Sequence, residues 1–289
     1  MKRYIPLLAL LLASLLYPQS KMDINNLIDR GGLLYAPNKE KPFSGSVFDL
    51  YDNGQKKLNG RYRNGTKNGK WTWWNEEGGI DSTGSYKNRL MNGKWIYYNK
   101  NGNVRASGNF INGDGGNISE LTGVPLNGRN GVWNFYYESG EKFGKAAYKN
   151  SVNVGILTLW YENGQKKLEK NYKNGKHEGL FISWYENGQK EWEGTYKNGK
   201  KNGTWMYWDL NGSKILDENF QNGILNGPMI SWYTNGQKEM VILWENGKKQ
   251  DLIYWYEDGE SINIRALNPF PIMELLDGKR DLETLPKSK

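Results

Sequence analysis

A glycine that recurs every 24 residues constrains this chain more than any other feature of its sequence. It lies in segments such as W-Y-E-N-G-Q-K, at 160–166 and again at 184–190. Positions in each repeat are numbered here from this turn glycine, negative towards the N-terminus. Neighbouring turn glycines are 24 residues apart except for one step of 38 and a last step of 23, and they are Gly54, Gly78, Gly102, Gly140, Gly164, Gly188, Gly212, Gly236 and Gly259. A fixed period of this kind predicts a repeat array and argues against a single-domain enzyme fold.

Each repeat has the pattern of a β-hairpin. Asn-Gly accepts positive φ at both central positions of a type I′ turn, so we expect it to join two antiparallel strands. Positions −3, −5, −7 and −9 should then pair with +2, +4, +6 and +8, and paired residues share a face of the sheet. Because each hairpin contacts only its neighbours, the predicted fold is all-β, an elongated single-layer antiparallel β-hairpin solenoid.

One face of this sheet is predicted to pack. Position +8 is aromatic in every intact repeat, and position −7 is mostly a large apolar residue. Glycine stands opposite several of the −7 residues, as Gly84 does opposite Trp71 and Gly194 opposite Phe181, so that a ring can lie over bare backbone. The pairing of Trp205 with Glu218 departs from this rule.

A second aromatic row lies at position −4, on the opposite and mostly polar face. We call this row the aromatic ladder; its members are Trp74, Tyr98, Tyr136, Trp160, Trp184, Trp208, Trp232 and Trp255. On a single-layer sheet these rings are at least partly exposed, and they are candidates to bind sugar rings, choline-like cations or a protein strand. The alternative is that successive rings stack on one another and stiffen the array.

The sequence outside the repeats suggests the domain organisation. Residues 1–20 have the basic start, the apolar run of 12 and the polar exit of a secretory signal peptide. Residues 21–44 are expected to cap the array, and residues 45–260 to form nine hairpin repeats with an insertion at 113–126. Residues 261–289 are expected to form a C-terminal cap or tail. Export is therefore predicted, to the periplasm, the cell surface or the medium, and a cytoplasmic location only if the signal peptide interpretation is wrong.

Composition excludes several functional classes. The absence of cysteine rules out disulfides, thiolate catalysis and cysteine-based zinc sites. The one histidine, His177, occupies a position where other repeats carry asparagine or lysine, so we expect no catalytic role. The net charge is +8, yet the lysines are scattered through loops and no nucleic-acid-binding motif is present. We expect no enzyme activity, catalytic residue, metal, cofactor, small-molecule substrate or nucleic acid.

The repeats resemble a known family. Segments such as W-Y-E-N-G-Q-K-K-L-E-K-N-Y-K-N-G-K-H-E-G, at 160–179, are similar to the bacterial variant of the MORN repeat. The opening G-L-L-Y-A-P-N-K-E-K-P-F-S-G resembles the start of the YwqK-type antitoxin proteins. The resemblance implies a β-hairpin solenoid that associates with a protein or a membrane and has no catalysis of its own. A weaker similarity, of 92–102, is to choline-binding wall repeats.

Three functional hypotheses follow. The first is an exported, non-enzymatic scaffold that binds a protein, or alternatively a membrane or wall surface. The second is an antitoxin or immunity-type protein that neutralises a cognate toxin, which a signal peptide argues against. The third is a module that binds wall glycan or choline.

Overall fold

The computed structural model describes residues 21–263. The predicted signal peptide at 1–20, and all but the start of the predicted tail at 261–289, lie outside these residues. The described residues divide into two compact units: unit 1 contains residues 21–131 and 138–140, and unit 2 contains residues 132–137 and 141–263. Apart from a 3-10 turn at Ile24–Asn26, every regular element of the described residues is a β-strand. The predicted all-β class is confirmed.

Unit 1 is built on an antiparallel sheet in which hairpins follow one another along the chain. Its main strands pair in the order β4, β5, β7, β8, β9, β10. The strands are β1 (Met22–Asp23), β2 (Ile28–Arg30), β3 (Leu33–Tyr35), β4 (Gly45–Leu50), β5 (Lys56–Arg63), β6 (Thr66–Lys67), β7 (Gly69–Trp74), β8 (Ile80–Lys87), β9 (Leu90–Tyr98) and β10 (Val104–Gly113).

Unit 2 repeats the same plan. Its strands also pair with their neighbours in sequence, again antiparallel. The first, β11 (Arg129–Tyr136), begins in unit 1. The others are β12 (Lys142–Lys149), β13 (Val152–Trp160), β14 (Lys166–Lys173), β15 (Lys176–Trp184), β16 (Lys190–Lys197), β17 (Lys200–Trp208), β18 (Lys214–Gln221), β19 (Ile224–Leu225), β20 (Gly227–Trp232), β21 (Lys238–Glu245), β22 (Lys248–Trp255) and β23 (Ser261–Asn263). The predicted hairpin repeats are confirmed.

The turn at the repeat glycine differs from the predicted one. Gly164 N–H donates to the Tyr161 carbonyl and Tyr161 N–H donates to the Gln165 carbonyl, which makes a three-residue loop. Gly164 has a φ of +82° while Asn163 keeps a negative φ. The prediction of a type I′ turn here is therefore wrong. Three-residue loops of this kind place glycine in the left-handed position and add a bulge to the following strand.

Type I′ geometry occurs instead in the turns at the other end of the strands, which join one hairpin to the next. Asn174 and Gly175 have φ values of +51° and +77°, and the flanking residues Lys173 and Lys176 pair directly. Asn-Gly therefore forms a three-residue loop at one end of the strands and a two-residue type I′ turn at the other end. The local dipeptide is the same, but the loop length decides which residue must take positive φ.

The bulge changes one predicted pairing and leaves the others intact. In β13 and β14, −5 pairs with +4, −7 with +6 and −9 with +8, as predicted. Position +2, however, pairs with −4 and not with −3: Lys166 lies opposite Trp160. The prediction for −3 and +2 is wrong because the extra residue in β14 shifts the register next to the turn.

The predicted pairing of rings with glycines is confirmed in both units, but the ring that lies over each glycine is not the one paired with it. Trp71 lies opposite Gly84 and Phe181 opposite Gly194. A Cβ atom on Gly84 would lie 2.1 Å from the Trp95 ring of the next hairpin, and one on Gly194 would lie 2.2 Å from the Trp205 ring. These glycines leave room for a ring from the following strand pair, so that each hairpin packs on the next.

Unit 1 covers its aromatic face with segments from outside the repeats. Val47, Tyr62 and Trp71 form a buried core against which Ile24, Leu27, Leu34 and Phe43 of the N-terminal segment pack. The cap is tied to the sheet by the parallel pairing of β1 with β4 and by Leu34 N–H, which donates to the Gly65 carbonyl at 3.1 Å.

Residues 113–126 add to this cover. Val124 is fully buried, and the Arg129 guanidinium donates to the carbonyls of Pro125 and Val124 at 2.8 and 3.0 Å. The segment therefore folds back onto unit 1 and is held there by backbone acceptors.

Candidate functional site

The aromatic ladder lies on the sheet face opposite the buried rings. Trp160 follows Leu159 directly in β13, and successive side chains of a strand point to opposite faces. All eight ladder residues are half-buried. We call this side, which carries positions −4, −6, −8, +5 and +7, the ladder face.

Lysine side chains lie beside the ladder rings. The Lys166 ammonium lies 5.4 Å from the centre of the Trp184 ring of the next hairpin and pairs with Glu169 at 2.8 Å. The bulge next to the turn is what brings this lysine to the ladder face. The same +2-to-ladder contact joins Lys56 to Trp74, Lys142 to Trp160, Lys190 to Trp208 and Lys214 to Trp232, at 5.1 to 5.8 Å. Rings and ammonium groups therefore alternate along the ladder, and each lysine covers part of a ring surface that a ligand would need.

Other residues of the recurring segment also contact the next hairpin. The Tyr161 hydroxyl donates to the Trp184 carbonyl at 2.8 Å, and Asn163 Nδ2 donates to the Glu186 carbonyl at 2.9 Å. Equivalent tyrosine bonds start from Tyr51, Tyr137, Tyr185 and Tyr233. Most of W-Y-E-N-G-Q-K thus connects one repeat to the next, which explains its recurrence without a ligand.

The remainder of the ladder face differs between the two units. At position −8, unit 1 exposes Lys70 and Lys94, whereas unit 2 exposes Ile156 and Leu180. Leu243, at +7 in unit 2, is also exposed, and the −6 residues Ile182, Met206 and Ile230 are half-buried. The sequence analysis treated this face as mostly polar throughout, and it missed this apolar patch. The sequence does contain a signal for this patch: the residue at −8 changes from lysine, at Lys70 and Lys94, to a large apolar residue, at Ile156 and Leu180.

A row of cations at position −11 was also missed. Lys201 lies 4.2 Å above the Trp205 ring and 4.7 Å from the Phe220 ring. It also donates to the Tyr207 hydroxyl at 3.0 Å, which in turn donates to Glu218 at 2.8 Å. These contacts account for the unexpected glutamate opposite Trp205. The negative charge of Glu218 compensates the positive charge of Lys201, which lies inside the aromatic face.

Lys67 and His177 occupy the same row. The Lys67 ammonium lies 4.8 Å from the Trp71 ring, and burial lowers its pKa. The His177 ring lies 4.7 Å from Tyr172 and 5.0 Å from Tyr196. Burial, and then the charge of Lys170, lower the pKa of His177.

Residues 21–263 contain no cluster of three histidine, cysteine or acidic side chains that would hold a metal ion. In the same range, no helix has the length and apolar character needed to span a membrane.

Comparison with solved structures finds distant similarities. The crystal structure of TcdB2-TccC3-Cdc42 is 11% identical with a TM-score of 0.19, and that of TcdB2-TccC3-TEV is 12% identical with a TM-score of 0.18. Each match covers 80% of this chain but only 16% and 15% of the other, so the chain spans about one sixth of those proteins. Similarities this weak carry no argument about function. No curated protein sequence matches the chain.

Comparison with family models identifies the repeats. Five segments match the MORN repeat variant, and together they cover less than half of the chain: residues 67–88, 91–112, 129–150, 153–174 and 178–198. Each segment contains the turn glycine of one hairpin and all or most of the two strands that flank it. The chain therefore carries five repeats of the MORN variant type within an antiparallel hairpin fold.

Proposed function

We propose that this chain is an exported, non-enzymatic repeat scaffold that binds a protein partner through the ladder face of unit 2. The observation that supports this is the apolar patch on that face. Ile156 is 56% exposed, Leu180 45% and Leu243 40%. Contiguous exposed apolar side chains on a soluble sheet are typical of protein interaction sites.

The register brings Ile156 and Leu180 together, whereas Leu243 lies further along the same face, on β21. Ile156 lies opposite Asn171 and Leu180 opposite Thr195, so the exposed residues of successive hairpins follow one another two strands apart. At about 4.8 Å between strands, they are about 10 Å apart. The half-buried residues of the −6 row lie beside them on the same face. The patch is thus a flat stripe suited to another protein surface and too shallow to enclose a small molecule.

Charges at the margin of this stripe indicate the chemistry of the partner. Lys166 and Lys190 each pair with a glutamate three residues later, yet both side chains remain about half exposed, at 50% and 47%. A partner with an apolar centre and acidic residues at its margin would complement both features.

The lysines also argue against the glycan and choline hypotheses. Sugar rings and quaternary ammonium groups bind to the open faces of aromatic rings. In unit 2 the side chains of Lys142, Lys166, Lys190 and Lys214 already lie next to those faces. A glycan or choline would have to displace them, whereas a protein surface would contact the stripe without doing so.

A photo-crosslinking experiment tests the proposed surface. The crosslinking amino acid replaces Ile156 or Leu180 in unit 2, or Lys70 or Lys94 at the same position of unit 1. We expect one discrete adduct from the unit 2 sites only. In the double variant Ile156→Lys with Leu180→Lys, the affinity for that adduct protein should fall at least tenfold. The fold should survive, because unit 1 carries lysine at these positions. Equal crosslinking from both units, or unchanged affinity in the double variant, would contradict the proposal.

Cell fractionation with N-terminal sequencing tests export separately. We expect a processed protein outside the cytosol that begins near residue 21. Unprocessed protein confined to the cytosol would contradict export and would favour the antitoxin hypothesis, in which the same stripe would cover a toxin.

A further inference from the structure

We propose that a cleft on the aromatic face of unit 1 binds a small amphipathic carboxylate. Its anionic group would pair with Lys67 and accept a hydrogen bond from Tyr97, and its apolar body would lie against Trp73 and Trp95. This site lies on the opposite face from the ladder and is independent of the function proposed above.

The cleft has the size and lining of a small-ligand site. Its volume is about 320 Å³, at the lower end of the range of about 300 to 1,000 Å³ that small ligands occupy. Trp73, Met91, Trp95 and Pro125 supply apolar walls, and Gly115 and Pro125 bring the insertion to its rim. The other lining side chains, Lys67, Asp81, Ser82, Tyr86 and Tyr97, carry polar groups, which favours an amphipathic ligand with one charged end.

Lys67 supplies the charge. Its ammonium group lies among three rings, 4.8 Å from Trp71, 5.1 Å from Tyr86 and 5.6 Å from Trp73. Asp29 and Asp114 line an adjoining cavity that also includes Lys67. Neither forms an ion pair with it, and no carboxylate elsewhere in residues 21–263 does. A desolvated cation that only rings surround is stabilised by an incoming anion.

Tyr97 supplies the hydrogen bond. The residue is 6% exposed, and its hydroxyl has no hydrogen-bond partner within the described chain. Leaving a buried hydroxyl unpaired is unfavourable, and a ligand that accepts its hydrogen bond would recover that loss. Burial raises the pKa of Tyr97 well above its usual range, so the hydroxyl remains a donor at physiological pH.

Asp81 limits the ligand to a single negative charge. This residue is exposed and also lines the cleft. A carboxylate there repels an anionic ligand, since like charges a few ångströms apart are unfavourable. We therefore expect Asp81→Asn to strengthen binding, which a purely apolar cleft would not show.

The test uses the full chain with 4-phenylbutyrate as probe and 4-phenylbutanol as its neutral counterpart. Calorimetry measures affinity, and tryptophan fluorescence reports on Trp73 and Trp95. The variants are Lys67→Met, Tyr97→Phe and Asp81→Asn. The first two remove a desolvated charge and an unpaired hydroxyl, so both proteins should fold at least as well as the parent. Lys70→Met, on the ladder face, is the matched control.

We expect saturable binding of the acid and at least tenfold weaker binding of the alcohol. Lys67→Met should weaken binding of the acid at least tenfold and leave the alcohol unchanged. Tyr97→Phe should weaken acid binding about 2- to 10-fold, and Asp81→Asn should tighten it. No saturable binding at millimolar acid, or equal binding of acid and alcohol, would overturn the proposal. So would a Lys70→Met variant that weakens binding as much as Lys67→Met.

Discussion

The two units have the same hairpin plan but differ in what covers and lines their faces. In unit 1, segments from outside the repeats cover the aromatic face, and Tyr62 and Phe110, both at position +8, are buried. In unit 2 the −7 rings of Phe181 and Trp205 are also buried, but every ring at +8 is half-buried, and the ladder face carries an apolar stripe that includes Ile156 and Leu180. The repeat sequence therefore sets the strands, but the side chains at a few positions and the added segments decide which face is available for contacts.

The largest expected difference between the units concerns the rings at position +8. Phe110 in unit 1 is fully buried, and Phe220 in unit 2 is half-buried. Phe110→Ala should lower the free energy of unfolding by about 3 to 5 kcal/mol, and Phe220→Ala by about half as much, because less surface returns to water. Urea denaturation, with hydrogen exchange to assign the affected unit, measures both. Equal losses would show that the cover over unit 1 adds no stability.

The contact of glycine with the next ring should matter equally in both units. Gly84→Ala and Gly194→Ala should each destabilise by about 1 to 3 kcal/mol, since the new methyl group would overlap a buried indole. Gly144→Ala is the control, because its methyl group would lie closest to the flexible end of Leu159, at 3.0 Å, and would meet Phe135 only at an ordinary contact distance of 3.7 Å. Thermal unfolding gives the comparison. If Gly194→Ala alone were tolerated, the rings of unit 2 would be free to move outward.

A smaller effect is expected from the buried cation of unit 1. Burial lowers the pKa of Lys67 below its ordinary value of 10.5, so the unfolded chain binds more protons between the two values. Stability should therefore rise as pH rises through that window. Lys67→Met should raise the melting temperature at pH 7 and flatten this rise, and the exposed Lys70→Met should do neither. If the stability of Lys67→Met varied with pH as that of the parent does, the Lys67 ammonium of the folded parent would be solvated and not buried.

The smallest effect is expected at His177 in unit 2. Burial and the neighbouring Lys170 lower its pKa below 6.5, so protonation favours the unfolded state. Stability should fall as pH drops through 6.5 towards the lowered value and stay constant below it. His177→Asn should remove this step, since Asn153 occupies the same position one repeat earlier. Because the chain has one histidine, its proton resonances report the titration directly. A pKa at or above 6.5 would contradict the burial of the ring.

Much of the fold was predictable because hairpin pairing is a local property. The pairing of Trp71 with Gly84, and that of Phe181 with Gly194, follow from counting outward from the turn. The turn type was not predictable from Asn-Gly alone, since the same dipeptide forms both a three-residue loop at Gly164 and a type I′ turn at Gly175. The bulge that accompanies the three-residue loop pairs Lys166 with Trp160, which the count outward from the turn did not predict.

The face on which the aromatic ladder lies could be predicted from the sequence, but the side chains that surround its rings could not. The sequence placed the aromatic ladder, including Trp160 and Trp184, on the face opposite the packed rings, and the strand alternation agrees. It did not reveal that lysines lie over those rings, because a cation and a ring from successive hairpins meet only when the sheet forms. It also did not reveal the cleft at Lys67, whose walls come from four strands and an insertion.

The repeat period, the strands and the division of side chains between two faces could be predicted from the sequence, since each depends on residues within one hairpin. Which face is covered, which lysines meet which rings and which hydroxyl is buried without a partner became apparent only in the folded chain. Those outcomes depend on contacts between hairpins and on segments outside the repeats, and the burial of each side chain is set by the neighbours that the fold supplies.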